Sequence, residues 1–536
     1  MNIAKKLLSL FLAMLMLFTC VITAVAADET SASQQGEISI DSIKDIINLP
    51  DFPFVDGAVA EENPQTCPVI FIPGFTSSNV YADIKDPDTL AVMPSSEDII
   101  AIIKEAFIPS LLKFAVDRDT DKLVVRVTDR VNETFKYWFN EPTGDAKEGS
   151  GIVPEELTEA SVTSRLKFSY DWRGDPVKIA DELHQYIETV CRLSGSEQVA
   201  LGCHSLGTTI GLAYITKYGN NRVAGMIFDS PACNGVALVG NILTGKVNLD
   251  ADSIAYYIKE LLGESEYEAL VTSVIDLFKK AGVLELFTRF ADEIIEALAP
   301  AVYRETIAPL IGCWPTFWSM VPDSDMEQAK AYIFGDILKD KDSSALESKI
   351  DYYNNTIRAN RTKTLNAFNA RSKFAVLSRY FSQTIPLRGS GHLLSDTIID
   401  TPSSSFGATT APIGDYFSEE YLRGKDLRYI SPDRTVDAST CLFPEQTWFI
   451  RGSGHFETGG VTEEYYDMFF FSETELTCDT AEIGRFTYRD PESYTLVEDL
   501  AVPEKEEDKN IIEILLSFAE AVISTIVKLI KQTVNR

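Results

Sequence analysis

Val199-Ala200-Leu201-Gly202-Cys203-His204-Ser205-Leu206-Gly207 carries the strongest chemical signal in the chain. An apolar strand pattern runs into a tight turn and then into a helix pattern, the strand–turn–helix context of a nucleophile elbow. Small residues flank the serine, because such a turn is strained and closely packed. The turn lifts the serine hydroxyl to the end of a sheet. It also sets the next backbone N–H, that of Leu206, and a helix N-terminus beneath a developing oxyanion. The usual pattern has glycine two residues before the serine. Here that residue is Cys203, and Gly202 stands one place earlier. Cysteine is small, but a glycine-type dihedral at Cys203 would be strained.

A serine hydroxyl needs a base, and the chain has four histidines. His184 lies on the helix pattern before the elbow and reads as surface or packing. His204 neighbours Ser205 and points the wrong way. His392 and His455 remain. In a fold of this kind the chain order is serine, acid, histidine, with the histidine after the last strand. His455 follows the strand pattern Thr447 to Ile450, in Gly452-Ser453-Gly454-His455-Phe456, and is the favoured base; His392 is its rival. The acid must hold and orient the imidazole. Asp396 is favoured, since it lies between a late strand and His455. Asp229, at the end of the strand pattern Val223 to Phe228, is the alternative acid, and Asp400, Asp433 and Asp437 are further candidates. A second oxyanion donor is expected in Pro73-Gly74-Phe75-Thr76, after the first buried strand, with the Phe75 N–H as candidate.

The elements that must position these residues alternate. Val69 to Ile72 reads as a buried strand, and Leu123 to Val127 and Lys167 to Tyr170 as further strands. Ile179 to Leu193 is an amphipathic helix, with apolar residues at 179, 180, 183, 187 and 190. Gln198 to Cys203 is a strand, Thr208 to Tyr218 a helix, Val223 to Phe228 a strand. Such alternation predicts a mostly parallel, doubly wound α/β sheet covered on both faces. From 236 to 370 the patterns are mostly helical, as at Ile254 to Leu262 and Leu270 to Leu298. Strand patterns return at Phe374 to Leu377 and at Thr447 to Ile450. The expected organisation is therefore a core of 67–235 and 371–500 with a helical cap, 236–370, inserted between late strands. An independent helical domain is the alternative.

The ends read differently. Residues 1–26 read as a secretory signal: Lys5 and Lys6, an apolar run from Leu7 to Val21, and the small-residue site Ala24-Val25-Ala26. The apolar run is short for a bilayer span. A secreted or cell-surface protein is expected, with a lipid-anchored form at Cys20 as the lesser reading. Residues 27–66 read as a mobile leader. In 501–536, Ile511 to Val534 reads as a helix whose polar residues Glu513, Ser517, Glu520, Ser524, Lys528 and Lys531 form one narrow stripe. Docking on the protein's own core is expected, and contact with a lipid surface is the sharper alternative. A net charge of −32 over 536 residues argues against binding to phosphate backbones. Of eight cysteines, Cys20 falls in the signal. The other seven show no C-x-x-C pairing, so neither a disulfide scaffold nor a zinc site is expected.

Taken together, these segments resemble the lecithin:cholesterol acyltransferase-like branch of the α/β-hydrolases. Pro68 to Phe75 is similar to that family's opening strand and loop. Tyr170-Asp171-Trp172-Arg173, followed by Pro176, is similar to its Y-D-W-R segment and is the most specific match. His204-Ser205-Leu206-Gly207 resembles its elbow, and Asp396 with Ile398, Ile399 and Ser403 its acid loop. A glycine usually follows the acid in related bacterial loops, and here it is Thr397. The resemblance covers about 68–235 and, more loosely, 374–456. It implies an α/β-hydrolase fold and a Ser205–His455–Asp396 triad acting on acyl esters, often lipids, by hydrolysis or by transfer to another alcohol. No metal or cofactor is needed for that chemistry. Two other readings stay open: a deacylase of extracellular polysaccharide or small esters, and a catalytically inactive hydrolase fold serving as a surface-binding module. The sequence leaves the oligomeric state open.

Overall fold

All four residues of the first strand, β1 (Val69–Ile72), are buried, as expected for a strand covered on both faces of a parallel sheet. The computed structural model describes residues 67–91, 120–154, 156–159, 161–162, 165–262, 268–456, 461–472, 476–490 and 496–498. The expected signal, leader and C-terminal helix lie outside the described residues. After β1 the main sheet takes β2 (Arg165–Lys167), β3 (Val199–His204), β4 (Val223–Asp229), β5 (Lys373–Tyr380), β6 (Thr447–Arg451), β7 (Phe486–Arg489) and β8 (Leu496–Glu498). Their spatial order is β2-β1-β3-β4-β5-β6-β7-β8. Every pairing is parallel except that of β8 with β7.

Alternate residues of these strands feed two cores, as the two-residue period of a strand requires. Ile70, Ile72, Leu201, Cys203, Met226 and Phe228 face one core. Phe71, Ile227, Ala375, Leu377, Trp448 and Ile450 face the other, with Tyr465, Tyr466 and Phe469. The central strands are joined to one another by helices, and the sheet is that of an α/β-hydrolase fold.

The helix α1 (Thr120–Phe135) overturns one expectation. Leu123 to Val127 is part of this helix, not a strand. Its tertiary partner is the later helical segment: Thr128 Oγ1 donates to Glu305 Oε2 at 3.2 Å, and Asn132 Nδ2 to the Glu305 carbonyl at 3.1 Å. Packing of one helical face has overridden the local strand preference of a Leu-Val-Val-Arg-Val run. The helix α2 (Pro176–Ser194) begins with Pro176 at its first turn, and the Asp175 side chain accepts from the Val177 N–H, a standard N-terminal arrangement. Then follows α3 (Gly207–Tyr218), directly after the elbow.

Between β4 and β5 the chain is helical throughout its labelled elements, from Ala237–Leu243 to Arg361–Asn369. The expected run from Leu270 to Leu298 is two helices, α5 (Glu268–Lys280) and α6 (Val283–Val302), separated at Ala281-Gly282, with α4 (Ala251–Leu262) before them. Trp318, Tyr353, Ile357 and Leu365 of this insertion join the same core as Ile70 and Leu201. The later insertion helices therefore pack onto the sheet. Ala255, Ile275 and Leu284 form a small core of their own among α4, α5 and α6. Among the described residues no helix is long and apolar enough to cross a membrane.

Candidate active site

The elbow is built as a strand end meeting a helix start. The β3 residues Cys203 and His204 pair with Phe228 and Asp229 of β4, and the Ser205 N–H donates to the Asp229 carbonyl at 2.9 Å. Ser205 then turns to a φ of +54°. Positive φ in a non-glycine residue is costly, and here it falls on the serine. Cys203 keeps ordinary strand geometry, in register with Ile72 and Phe228. The expected strain at Cys203 is thus absent. Room for its side chain comes from α3: a Cβ on Gly211 would lie 2.7 Å from Cys203 Sγ. Sequence reading missed Gly211, and the glycine one helical turn past the elbow was the available signal.

The loop after β1 closes on the elbow. A Cβ on Gly74 would stand 2.8 Å from Ser205 Cβ and 3.1 Å from its Oγ. Gly74→Ala is therefore expected to displace the serine side chain and to lower turnover about 100-fold while the protein still folds. Circular dichroism beside an ester assay checks this, and a Gly74→Ala variant with wild-type turnover would contradict it. Among the described residues, neither the Phe75 nor the Leu206 N–H donates a hydrogen bond. The two expected oxyanion donors stand on the loop after β1 and at the start of α3, on either side of the contact between Gly74 and Ser205.

Three distant residues converge here. His455 Nε2 lies 2.9 Å from Ser205 Oγ, and His455 Nδ1 lies 2.7 Å from Asp396 Oδ2. His455 stands in the loop after β6. Asp396 follows a two-stranded hairpin of Ser382–Gln383 with Leu394–Ser395, inserted after β5. The His455 N–H also donates to the Asp396 carbonyl at 2.7 Å, which locks the two loops together. Asp396 Oδ1 accepts from the N–H groups of Ile398 at 3.0 Å and Ile399 at 2.7 Å. That turn puts Thr397 at a φ of +83°, the position where a glycine was expected. Burial alone would push the Asp396 carboxyl up. The His455 imidazole and the two N–H donors outweigh burial and hold it below the ordinary carboxylate range.

Asp229 does not serve this histidine. Its carboxylate is held by Arg379 in a two-point ion pair, Nε to Oδ1 at 2.9 Å and Nη2 to Oδ2 at 2.6 Å, with both side chains fully buried. Burial would raise the Asp229 carboxyl; Arg379, and then His204, reverse that and hold it down to about 2. His204 Nδ1 lies 3.5 Å from Asp229 Oδ2, beyond a good hydrogen bond. Burial pushes the His204 imidazole below its ordinary value in spite of that carboxylate. Arg379 was not foreseen, because nothing local links positions 229 and 379. Asp400 caps the short helix Thr401–Ser404, Asp433 bonds Ser431 and Thr435, and Asp437 pairs with Lys425. His392 is exposed, and His184 stacks on Tyr218 with ring centroids 3.9 Å apart. All seven described cysteines are free. Among the described residues no cluster of His, Cys, Asp and Glu could hold a metal ion.

No family model and no curated protein matches the chain. Among solved structures it overlaps a meta-cleavage product hydrolase from Pseudomonas fluorescens IP01, across 55% of this chain and 70% of that one, at 10% identity and a TM-score of 0.21. It also overlaps a chain of the Tle4–Tli4 complex, across 58% of this chain and 75% of that one, at 13% identity and a TM-score of 0.25. Overlaps this loose bear on neither substrate nor mechanism.

Proposed function

We propose that this protein is a secreted serine hydrolase or acyltransferase that takes carboxylic esters, with lipid esters as its substrate class. The observation that carries the reading is the continuous relay from Ser205 Oγ through His455 to Asp396, with bonds of 2.9 and 2.7 Å. In such a relay the serine oxygen attacks the ester carbonyl as His455 Nε2 takes its proton. Asp396 accepts from Nδ1–H, fixes that tautomer and stabilises the imidazolium. The carbonyl oxygen gains charge in the tetrahedral intermediate, and the Phe75 and Leu206 N–H groups hold it. His455 returns the proton to the leaving alcohol, and an acyl group stays on Ser205. Water, or an acceptor alcohol, then attacks the acyl-enzyme with the same histidine as base.

The lipid part of the reading draws on the likeness of the opening loop, the Tyr170–Arg173 segment and the acid loop to lipid acyltransferases. Secretion draws on the Lys-Lys, apolar and Ala-Val-Ala run at the N-terminus. The test is cleavage of nitrophenyl esters against acyl length, together with labelling by a serine-directed phosphonate. The expected result is a rate that peaks at long chains and a single label on Ser205. A rate confined to short esters would replace the lipid reading with a small-ester or polysaccharide deacylase. A folded protein that takes no label would leave a binding module in its place.

A further inference from the structure

Among the described residues, the Tyr170-Asp171-Trp172-Arg173 segment hydrogen-bonds to neither Ser205 nor His455, yet every polar side chain in it is committed. The Tyr170 hydroxyl, fully buried, donates to the Pro73 carbonyl at 2.5 Å. The Tyr170 N–H donates to Ser78 Oγ at 3.1 Å, and Trp172 Nε1 to the Ser78 carbonyl at 3.1 Å. The segment therefore grips the 73–78 loop at both ends, on either side of Gly74 and Phe75. It also grips the side chain between them. The Phe75 ring packs against Trp172 with centroids 4.8 Å apart, Trp314 at 5.6 Å and Trp138 at 5.9 Å, within the range of favourable aromatic pairs.

The grip is itself anchored from behind. Arg173, fully buried, makes a two-point pair with Asp171 and donates to the Tyr137 carbonyl and Ser150 Oγ. Thr316 of the helical insertion bonds the Trp172 carbonyl through its hydroxyl at 2.6 Å, and the Gly174 carbonyl through its N–H at 3.0 Å. Asn140 Nδ2 donates to the Arg173 carbonyl at 3.2 Å. A buried network partnered at every one of these donors is stiff, although the Asn140 Oδ1 accepts no hydrogen bond among the described residues. Among the described residues, its hydrogen bonds toward the reacting atoms run to the loop that bears the Phe75 N–H.

We propose that this segment is a clamp for the oxyanion loop and that Tyr170 is its positioning residue, an inference that rests on Ser205 being the acylated nucleophile. The hydroxyl fixes the Pro73 peptide, and the tryptophans fix the Phe75 ring. Together they set where the Phe75 N–H points. That donor meets full negative charge only in the tetrahedral state. Loosening it therefore lowers kcat and leaves substrate binding alone.

The test compares wild type, Tyr170→Phe and Trp172→Phe. The first removes one hydroxyl, and the second keeps a ring against Phe75 but loses the N–H to Ser78. Two readouts are needed: kcat and KM on one nitrophenyl ester, and the Ki of phenylboronic acid. Boron adds Ser205 Oγ, the serine proton passes to His455, and the boron becomes tetrahedral and anionic. One of its oxygens then takes the oxyanion position. Tyr170→Phe is expected to lower kcat about 10- to 100-fold with KM held within about twofold, and to raise Ki by the same factor as kcat falls. Trp172→Phe follows in the same direction and serves if Tyr170→Phe does not fold. Folded variants with wild-type kcat would overturn the clamp, and so would a fall in kcat with unchanged Ki. A wild-type protein that cleaves no ester would instead overturn the hydrolase reading, and the clamp with it.

Discussion

Ser205→Ala is expected to lower kcat for ester cleavage by roughly 10⁶-fold, and Asp396→Asn by roughly 10⁴-fold. The difference comes from what each change leaves behind. Without Ser205 Oγ no acyl-enzyme forms, and only binding and the oxyanion donors remain. Without the Asp396 charge the nucleophile is present but its base carries its proton on the wrong nitrogen. The geometry dictates this outcome. Asp396 Oδ1 is held by the N–H groups of Ile398 and Ile399, while Oδ2 faces His455 Nδ1. An asparagine keeps its carbonyl oxygen on the two N–H donors and turns its amide toward Nδ1. That nitrogen must then accept, so the proton moves to Nε2 and faces Ser205 Oγ. Since the three groups act as a unit, Ser205→Ala combined with His455→Ala should be no slower than either alone. Single-turnover rates on a nitrophenyl ester check the series. An Asp396→Asn variant keeping a tenth of wild-type turnover would remove Asp396 from the relay.

The alternation of strands and helices was legible because period and length both change at each boundary. The elbow was legible for the same reason, since an apolar strand, a turn and a helix follow one another within twenty residues. Chain order favoured His455 over His392 and left Asp396 as the favoured one of several acids, and the structure brings Ser205, His455 and Asp396 into hydrogen-bond contact. What escaped was non-local. Leu123-Val124-Val125-Arg126-Val127 has the composition of a strand, yet it lies in α1, a helix that packs against 303–312 and α6. Cys203 looked like a site of strain because glycine is usual there, yet it keeps strand geometry, and the glycine that leaves room for its side chain stands at position 211, on the following helix. Arg379 lies 150 residues from Asp229, and no spacing rule joins them. The same holds for Tyr170 and Pro73. Tyr170 lies in the most specific sequence match and Pro73 in the opening loop, and their hydrogen bond appears only when loop and segment lie side by side.

Asp229 tests the division of labour between the two buried carboxylates, because its loss should act on stability. Asp229→Asn leaves the fully buried Arg379 without its counter-charge. Removing one member of a buried pair typically costs about 3–5 kcal/mol, a large share of the roughly 5–15 kcal/mol that holds a domain folded. The Ser205 N–H bonds the Asp229 backbone carbonyl, so the elbow's main-chain support survives the substitution. Molecules that remain folded should therefore still take a phosphonate label on Ser205. The pH dependence has a definite sign. The folded carboxyl is held down to about 2, below its unfolded value near 3.9. Its contribution is complete above about pH 4 and is lost as pH falls through about 2. At that acidic end protonation of Asp229 in the wild type takes from Arg379 the same counter-charge that asparagine takes. The urea midpoints of wild type and Asp229→Asn should therefore lie far apart at pH 7 and converge as the pH falls toward 2. A constant gap across that range would mean that the Arg379 pair is not what the carboxylate contributes. A double change to apolar residues at 229 and 379 should recover most of the loss, since no buried charge is then left alone.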